Sequence, residues 1–247
     1  MAVLVVGALA VGAALVALVV RVVLGMVRRS IEANLPRRVE WRRTEDPEFP
    51  AEATHQLARL RGLGFVPVDG IREVDLGSRA LFVPMVSEKE QAYATVIVAG
   101  GTEVAIDVVS MLVAGGSLTT ASRIECGTLL AAPGLFGQIV ADGEPVDLIP
   151  AHRRAVTALA ELGVEVRAVS VATFENDFQA SFAKRRRAFD RAPMKIAAIA
   201  LWRTIRKHNP HLVPLTEQAG ALRLARRVGK RLERRSASAD VTVGVGR

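Results

Sequence analysis

One cysteine, Cys126, stands in 247 residues. No internal disulfide is available, and a reducing compartment asks for none. Aromatic residues make up 4% of the chain while half of it is apolar, so the core must be built from Val, Leu, Ile and Ala. No Lys or Arg precedes position 21, which removes the positive n-region of a secretory signal. The chain also lacks the Gly-Lys-Ser/Thr ending of a phosphate loop and the Gly-x-Ser-x-Gly turn of a serine nucleophile. These absences leave no cofactor motif and no evident catalytic motif.

What the chain does have is an uninterrupted apolar start. Met1 to Val20 contains only Met, Ala, Val, Leu and Gly, and Arg21 closes it. As a helix, Ala2–Val20 is roughly 28 Å long at ~1.5 Å per residue, close to a ~30 Å hydrocarbon core. Val22–Val27 extends the run when Arg21 snorkels toward headgroups. The expectation is an uncleaved transmembrane anchor over 1–27. Arg28, Arg29, Arg37, Arg38, Arg42 and Arg43 follow it. The positive-inside bias then places the N-terminus outside and the C-terminal domain in the cytoplasm.

The net charge of +8 averages two opposed regions. Thr44–Ala180 carries nine Lys/Arg and nineteen Asp/Glu, a net of −10, whereas Ser181–Arg235 carries sixteen against three, a net of +13. An acidic middle bracketed by basic flanks speaks about partners rather than fold.

Residues 28–50 read as a basic connector and linker, broken by Pro36, Pro47 and Pro50. A helix is expected at Ala51–Leu63, ended by glycines. Strand signals follow at Phe65–Val68, Ile71–Leu76, Leu81–Val86, Tyr93–Ala99 and Glu103–Val113. In the last, Val104, Ile106, Val108 and Leu112 alternate against Glu103, Ala105 and Asp107, a period of two. Gly100-Gly101, Gly115-Gly116 and Asp142-Gly143 fit tight hairpin turns, so an antiparallel meander is expected. A helix at Pro150–Leu162, a strand at Val164–Val171 and a helix at Asn176–Arg191 complete an α+β domain over 51–192. Basic amphipathic helices occupy 193–235, and 236–247 reads as a flexible tail.

Candidate chemistry is sparse. Ser110 lies within a strand, and Cys126 has His152 as a conceivable base, but a lone Cys is commonly a small buried hydrophobe. His208 and His211 are separated by helix-breaking Pro210 and have no acidic or Cys partner nearby, so no metal site is expected. His55 and His152 are expected on solvated helix surfaces. Glu103 and Asp107 point to one face, which a solvated sheet surface explains more simply than acid–base work. Ser117, Thr119, Thr120 and Ser122 line either a pocket or an edge strand.

The basic segments say more. Met194, Ala197, Ala198, Leu201 and Ile205 form a helical stripe, as do Ala221, Leu224, Ala225, Val228 and Leu232. Arg223, Arg226, Arg227, Lys230 and Arg231 fill the opposite face of the second helix. Basic amphipathic helices lie on anionic membranes, and interfacial tryptophans suit that setting. Expected membrane-surface contacts are therefore Trp41, Arg42, Arg43, Trp202, Arg203 and Arg206 with those five residues, the partners being the bilayer and its anionic headgroups. The favoured reading is a single-pass, membrane-anchored binding or scaffolding module with an unidentified protein partner. The competing reading is a membrane-tethered enzyme acting on a small or lipidic substrate through polar residues of 103–122. A third, weak nonspecific nucleic-acid binding by the tail, lacks the aromatic residues that stack bases.

Overall fold

In the computed structural model, the residues described are 2–33, 35, 39–44, 48–68, 70–75, 79–123, 134–205 and 210–244, without the side chains of 2–13, 75, 79, 203–205, 210 and 235–244. Six α-helices and a mixed eight-stranded sheet are formed among them, which is the α+β class read from the sequence.

The first helix, α1, runs Ala2–Ala33, and strand β1 follows at Trp41–Thr44. The sheet therefore takes in chain from the expected connector: β1 pairs antiparallel with β3, Ile71–Asp75. Exposed Arg42 and Arg43 guard this edge against further pairing. Helix α2, Ala51–Gly62, precedes the short strand β2, Val66–Pro67. Strands β4 (Arg79–Ser87), β5 (Ala92–Ala99), β6 (Glu103–Met111) and β7 (Ser117–Ala121) form the meander. Gly100 and Gly101 have φ of 57° and 79°, the pair of positive values that a type I′ hairpin between β5 and β6 requires.

Several expectations are corrected. The sheet is not wholly antiparallel, because β8, Leu135–Ile139, lies parallel to β7. A parallel neighbour needs a long connection rather than a tight hairpin, and the two strands are well separated in sequence. Val164–Val171 makes an isolated bridge, Leu112 to Val166, rather than a strand. Asp142-Gly143 forms no hairpin either, since it leads from β8 into a helix. Helix α3 begins at Pro145, earlier than the periodicity suggests, because Glu144 and Asp147 form a reciprocal capping pair with proline at the first turn.

Helices cover both sheet faces. On one, Ala53, Leu57 and Leu60 of α2 and Leu148 and Ile149 of α3 (Pro145–Ala160) pack on Met85, Ala94, Val96, Ile106 and Val108. On the other, α4 (Phe174–Arg191) lays Phe174, Phe178 and Phe182 against Trp41, Phe82, Ile97 and Ala105. Each side chain of this size stabilises by about 1.5–3 kcal/mol when fully buried. Helix α5, Pro193–Ile205, packs against α1. Helix α6, Ala219–Gly244, seats Leu224, Ala225 and Val228 on Leu159 and Leu215. The approach is close at Gly229, where an added Cβ would lie 2.0 Å from the Leu162 carbonyl oxygen.

Among the described residues no helix is long and apolar enough to cross a membrane. The side chains of 2–13 lie outside that set, and the part of α1 within it carries Arg21, Arg28, Arg29 and Glu32.

Candidate functional site

The period of two along β6 and β7 sorts their polar residues onto opposite faces of the sheet, so the 103–122 region is two polar layers rather than one pocket. Toward α3, Ser110, Thr120, Gln138 and His152 form a chain. The Ser110 hydroxyl lies 2.9 Å from His152 Nε2 and 2.9 Å from the Gln91 carbonyl oxygen, to which it donates. The Thr120 hydroxyl lies 2.9 Å from His152 Nδ1, and Gln138 Nε2 donates to Thr120 Oγ1 at 3.0 Å and to the Ala151 carbonyl at 3.0 Å. Gln138 Oε1 accepts from the Leu215 backbone at 2.8 Å.

Donor counting fixes the sense of this chain. Ser110 spends its proton on Gln91, so Nε2 of His152 carries the hydrogen and donates to Ser110. Nδ1 then accepts from Thr120. Burial pushes the His152 pKa down to about 3, against a small opposing pull from Glu90. A neutral imidazole whose Nε2 is already protonated is no base for Ser110, and Ser110 is fully buried. The pair has the spacing of a nucleophile and its base but the proton arrangement of a structural bond. His152, expected on a solvated surface, is 2% exposed; His55 is exposed, as expected.

Support for the layer comes from the β4–β5 turn. Gln91 adopts φ 48°, a left-handed conformation uncommon outside glycine, and its carbonyl is the Ser110 acceptor. Next to it, Arg153 of α3 grips Glu90 with bonds of 2.5 and 2.6 Å. That bond is the largest cause holding the Glu90 carboxyl below its usual pKa.

Toward α4 the layer is less complete. Asp107 lies between Thr95 and Ala121 on neighbouring strands and is buried beneath α4 rather than on a solvated face; Glu103 alone of the two is exposed. Burial raises the Asp107 pKa to about 7, with Arg185 pulling the other way. Arg185 Nη2 donates to Thr119 Oγ1 at 3.1 Å, while Asp107 Oδ1 has no hydrogen-bond partner. Ser117 and Ser181 join at 3.1 Å, and Lys184 Nζ donates to the Gly115 carbonyl at 2.6 Å. At the far end Tyr93 donates to Asp177 Oδ2 at 2.7 Å, and Asp177 pairs with Arg167. Burial drives the Tyr93 pKa to about 12.

A cleft of about 130 Å³ opens elsewhere, lined by Glu52, Gln56, Ser122, Arg123, Asp142 and Glu144. Arg59 pairs with Glu144, and the Ser122 hydroxyl accepts from the Ile106 backbone at 2.8 Å. The lining holds no nucleophile–base pair. Its rim is acidic at Glu52 and Asp142, both exposed. No group of His, Cys, Asp and Glu able to hold a metal occurs among the described residues, and Cys126 lies outside them.

The expected membrane-contact residues divide three ways. Trp41 packs its ring 4.7 Å from Phe178 and 5.9 Å from Phe174, with the Arg72 guanidinium 5.5 Å above it. It is committed to the domain core. Arg42, Arg43 and Trp202 are exposed, as are Arg223, Arg226, Arg227, Lys230 and Arg231 on α6. The Arg203 side chain and all of Arg206 lie outside the described residues.

Sequence reading missed the His152–Thr120–Gln138 connection. The parity of Ser110 and Thr120 with buried Val108 and Leu118 was the available signal; Gln138 gave none, because β8 itself was not anticipated. No family model, no curated protein and no solved structure matches this chain.

Proposed function

We propose that this chain is a membrane-anchored binding or scaffolding module, held to the bilayer by α1 and presenting a closed α+β domain beside it. One observation carries the reading: α1 leaves a row of large apolar side chains without cover. Leu15 and Val16 are each 63% exposed, Leu18 59% and Met26 56%. Contiguous exposed apolar surface of this kind marks a membrane or protein contact, and it continues in sequence the uncharged run that begins at Met1.

The basic face of α6 adds a second contact. Its apolar stripe is occupied by the domain, so its arginines point outward, where each contributes ~1 kcal/mol near an anionic leaflet. The anchor raises the effective concentration of that contact, so weak affinity is enough. The arginines after the span support an N-terminus outside and a domain in the cytoplasm. For a protein partner, the acidic rim at Glu52 and Asp142 is the surface with the chemistry to receive basic groups. Ser110, Ser117, Thr119, Thr120 and Ser122 are buried and hydrogen-bonded, which weighs against a catalytic hydroxyl in 103–122.

Alkaline carbonate extraction of membranes from cells expressing the full chain tests the anchor. The protein should stay with the membrane pellet, and a chain lacking residues 2–20 should move to the supernatant. Release of the full chain would end the reading.

A further inference from the structure

Helix α5 has an exposed apolar face of its own. Met194 is 42% exposed, Ile199 41% and Trp202 57%, while Ala197 is fully buried and Ile196 and Ala200 pack toward Val27 and Ile31 of α1. The direction of the pair follows from α4. Arg186 bonds Glu32 and the Leu35 carbonyl, each at 2.9 Å, and Phe189 packs on Ile31 and Leu35. Since α5 starts two residues after α4 ends there, it runs back along α1 toward that helix's N-terminus.

The sequences of the two paired helices share a pattern. Val22–Val27 is an uncharged stretch between Arg21 and Arg28, and Ile196–Trp202 is one between Lys195 and Arg203. Each is about 9–10 Å long at ~1.5 Å per residue. Each helix thus carries a short apolar band with a basic collar at either end in sequence.

We propose that α5 is a second membrane element, immersed beside α1 in the interfacial zone of an anionic leaflet rather than lying flat on its surface. This rests on the reading of α1 as the anchor. The band matches the ~5–10 Å depth to which interfacial helices sink their apolar faces. Seven uncharged residues are too few to cross, which needs about 20. The collars select lipid over a second copy of the chain, because a symmetric partner would bring like charges together, whereas acidic headgroups neutralise them. Two membrane elements joined to α4 through Arg186 also fix the tilt of the domain.

The test uses the full chain with Cys126→Ser and a single new cysteine at Ile199, Met194 or, as a comparison, Arg226, each carrying an environment-sensitive fluorophore. The protein is reconstituted in phosphatidylcholine–phosphatidylserine vesicles and floated. The label at 199 should be blue-shifted and quenched by nitroxides placed high on the acyl chains, and the label at 194, beyond Lys195, should be quenched less by them. The label at 226 should be quenched by headgroup nitroxides alone. A label at 199 that is blue-shifted yet unquenched by any lipid nitroxide indicates a protein contact and overturns the proposal. So does a water-exposed label on vesicles that float. Failure to float overturns the anchor itself, which separates the two readings.

Discussion

The two faces of the sheet handle buried polarity in opposite ways. Beneath α3, His152 is neutral and each ring nitrogen has a partner among hydroxyls that are themselves satisfied. Beneath α4, Asp107 and Arg185 are both buried, and one carboxylate oxygen has no hydrogen bond. A closed network adds stability and fixes register. A half-satisfied charge costs stability until it is neutralised. The difference teaches that polar residues in one strand can serve unrelated ends when their parity differs by one.

That contrast has its largest consequence in pH. His152 titrates at about 3 in the fold against about 6.5 in an unfolded chain. Its depressed value means stability is complete above about pH 6.5 and falls as pH drops toward 3. Asp107 titrates at about 7 against about 3.9 unfolded. Its raised value means stability is complete below about pH 4 and falls as pH rises to 7. Between about pH 4 and 6.5 the two slopes, each about 1.4 kcal/mol per pH unit, oppose and nearly cancel. Urea unfolding across this range should give a flat wild-type profile. Asp107→Asn should unmask a rise toward neutral pH of about 4 kcal/mol, and His152→Gln should unmask a fall of similar size. Parallel profiles for the three proteins would erase the distinction between the faces.

At fixed neutral pH the closed layer should be the more sensitive to truncation. His152→Ala removes the partner of two buried hydroxyls and leaves a cavity, an expected loss of about 3 kcal/mol. Thr119→Val, on the other face, removes one acceptor from Arg185 and should cost about 1–2 kcal/mol. Thermal melts of the two variants order the faces, and a larger loss from Thr119→Val would reverse the comparison.

The smallest effect on stability belongs to the surface. Replacing Arg223, Arg226, Arg227, Lys230 and Arg231 by Gln should leave unfolding within about 0.5 kcal/mol of wild type. The same change should weaken the salt-sensitive contact with acidic vesicles, measured on a chain lacking residues 2–20. The cut stops there because Leu35, Val39 and Trp41 belong to the domain core. Undiminished vesicle binding by the five-Gln variant would assign α6 to packing alone.

Much of the architecture was legible because its periods are strong. Val104, Ile106 and Val108 announced β6, and the stripe of Ala221, Leu224, Ala225 and Val228 announced an amphipathic α6, though the domain core rather than a membrane takes that stripe. The failures have local causes. Trp41 follows four Arg within a short, Pro-broken stretch, and nothing in that composition tells that Phe174 and Phe178, far along the chain, close over it. Leu-Phe-Gly-Gln-Ile lacks alternation because β8 is buried on both faces, as strands with parallel neighbours commonly are. Asp107 was assigned to a solvated face because a period of two shows that residues share a side without showing what covers it. The α1–α5 pairing was hidden for the same reason, since amphipathicity does not name the partner of an apolar stripe.

The central claim is that the molecule meets its surroundings through helices, with the sheet sealed between them. Photoactivatable phosphatidylserine, crosslinked to the full chain in membranes and mapped by peptide mass, tests it most directly. Lipid adducts are expected on peptides from α1, α5 and α6. Adducts confined to Ala92–Met111, or none at all on a membrane-bound protein, would contradict it.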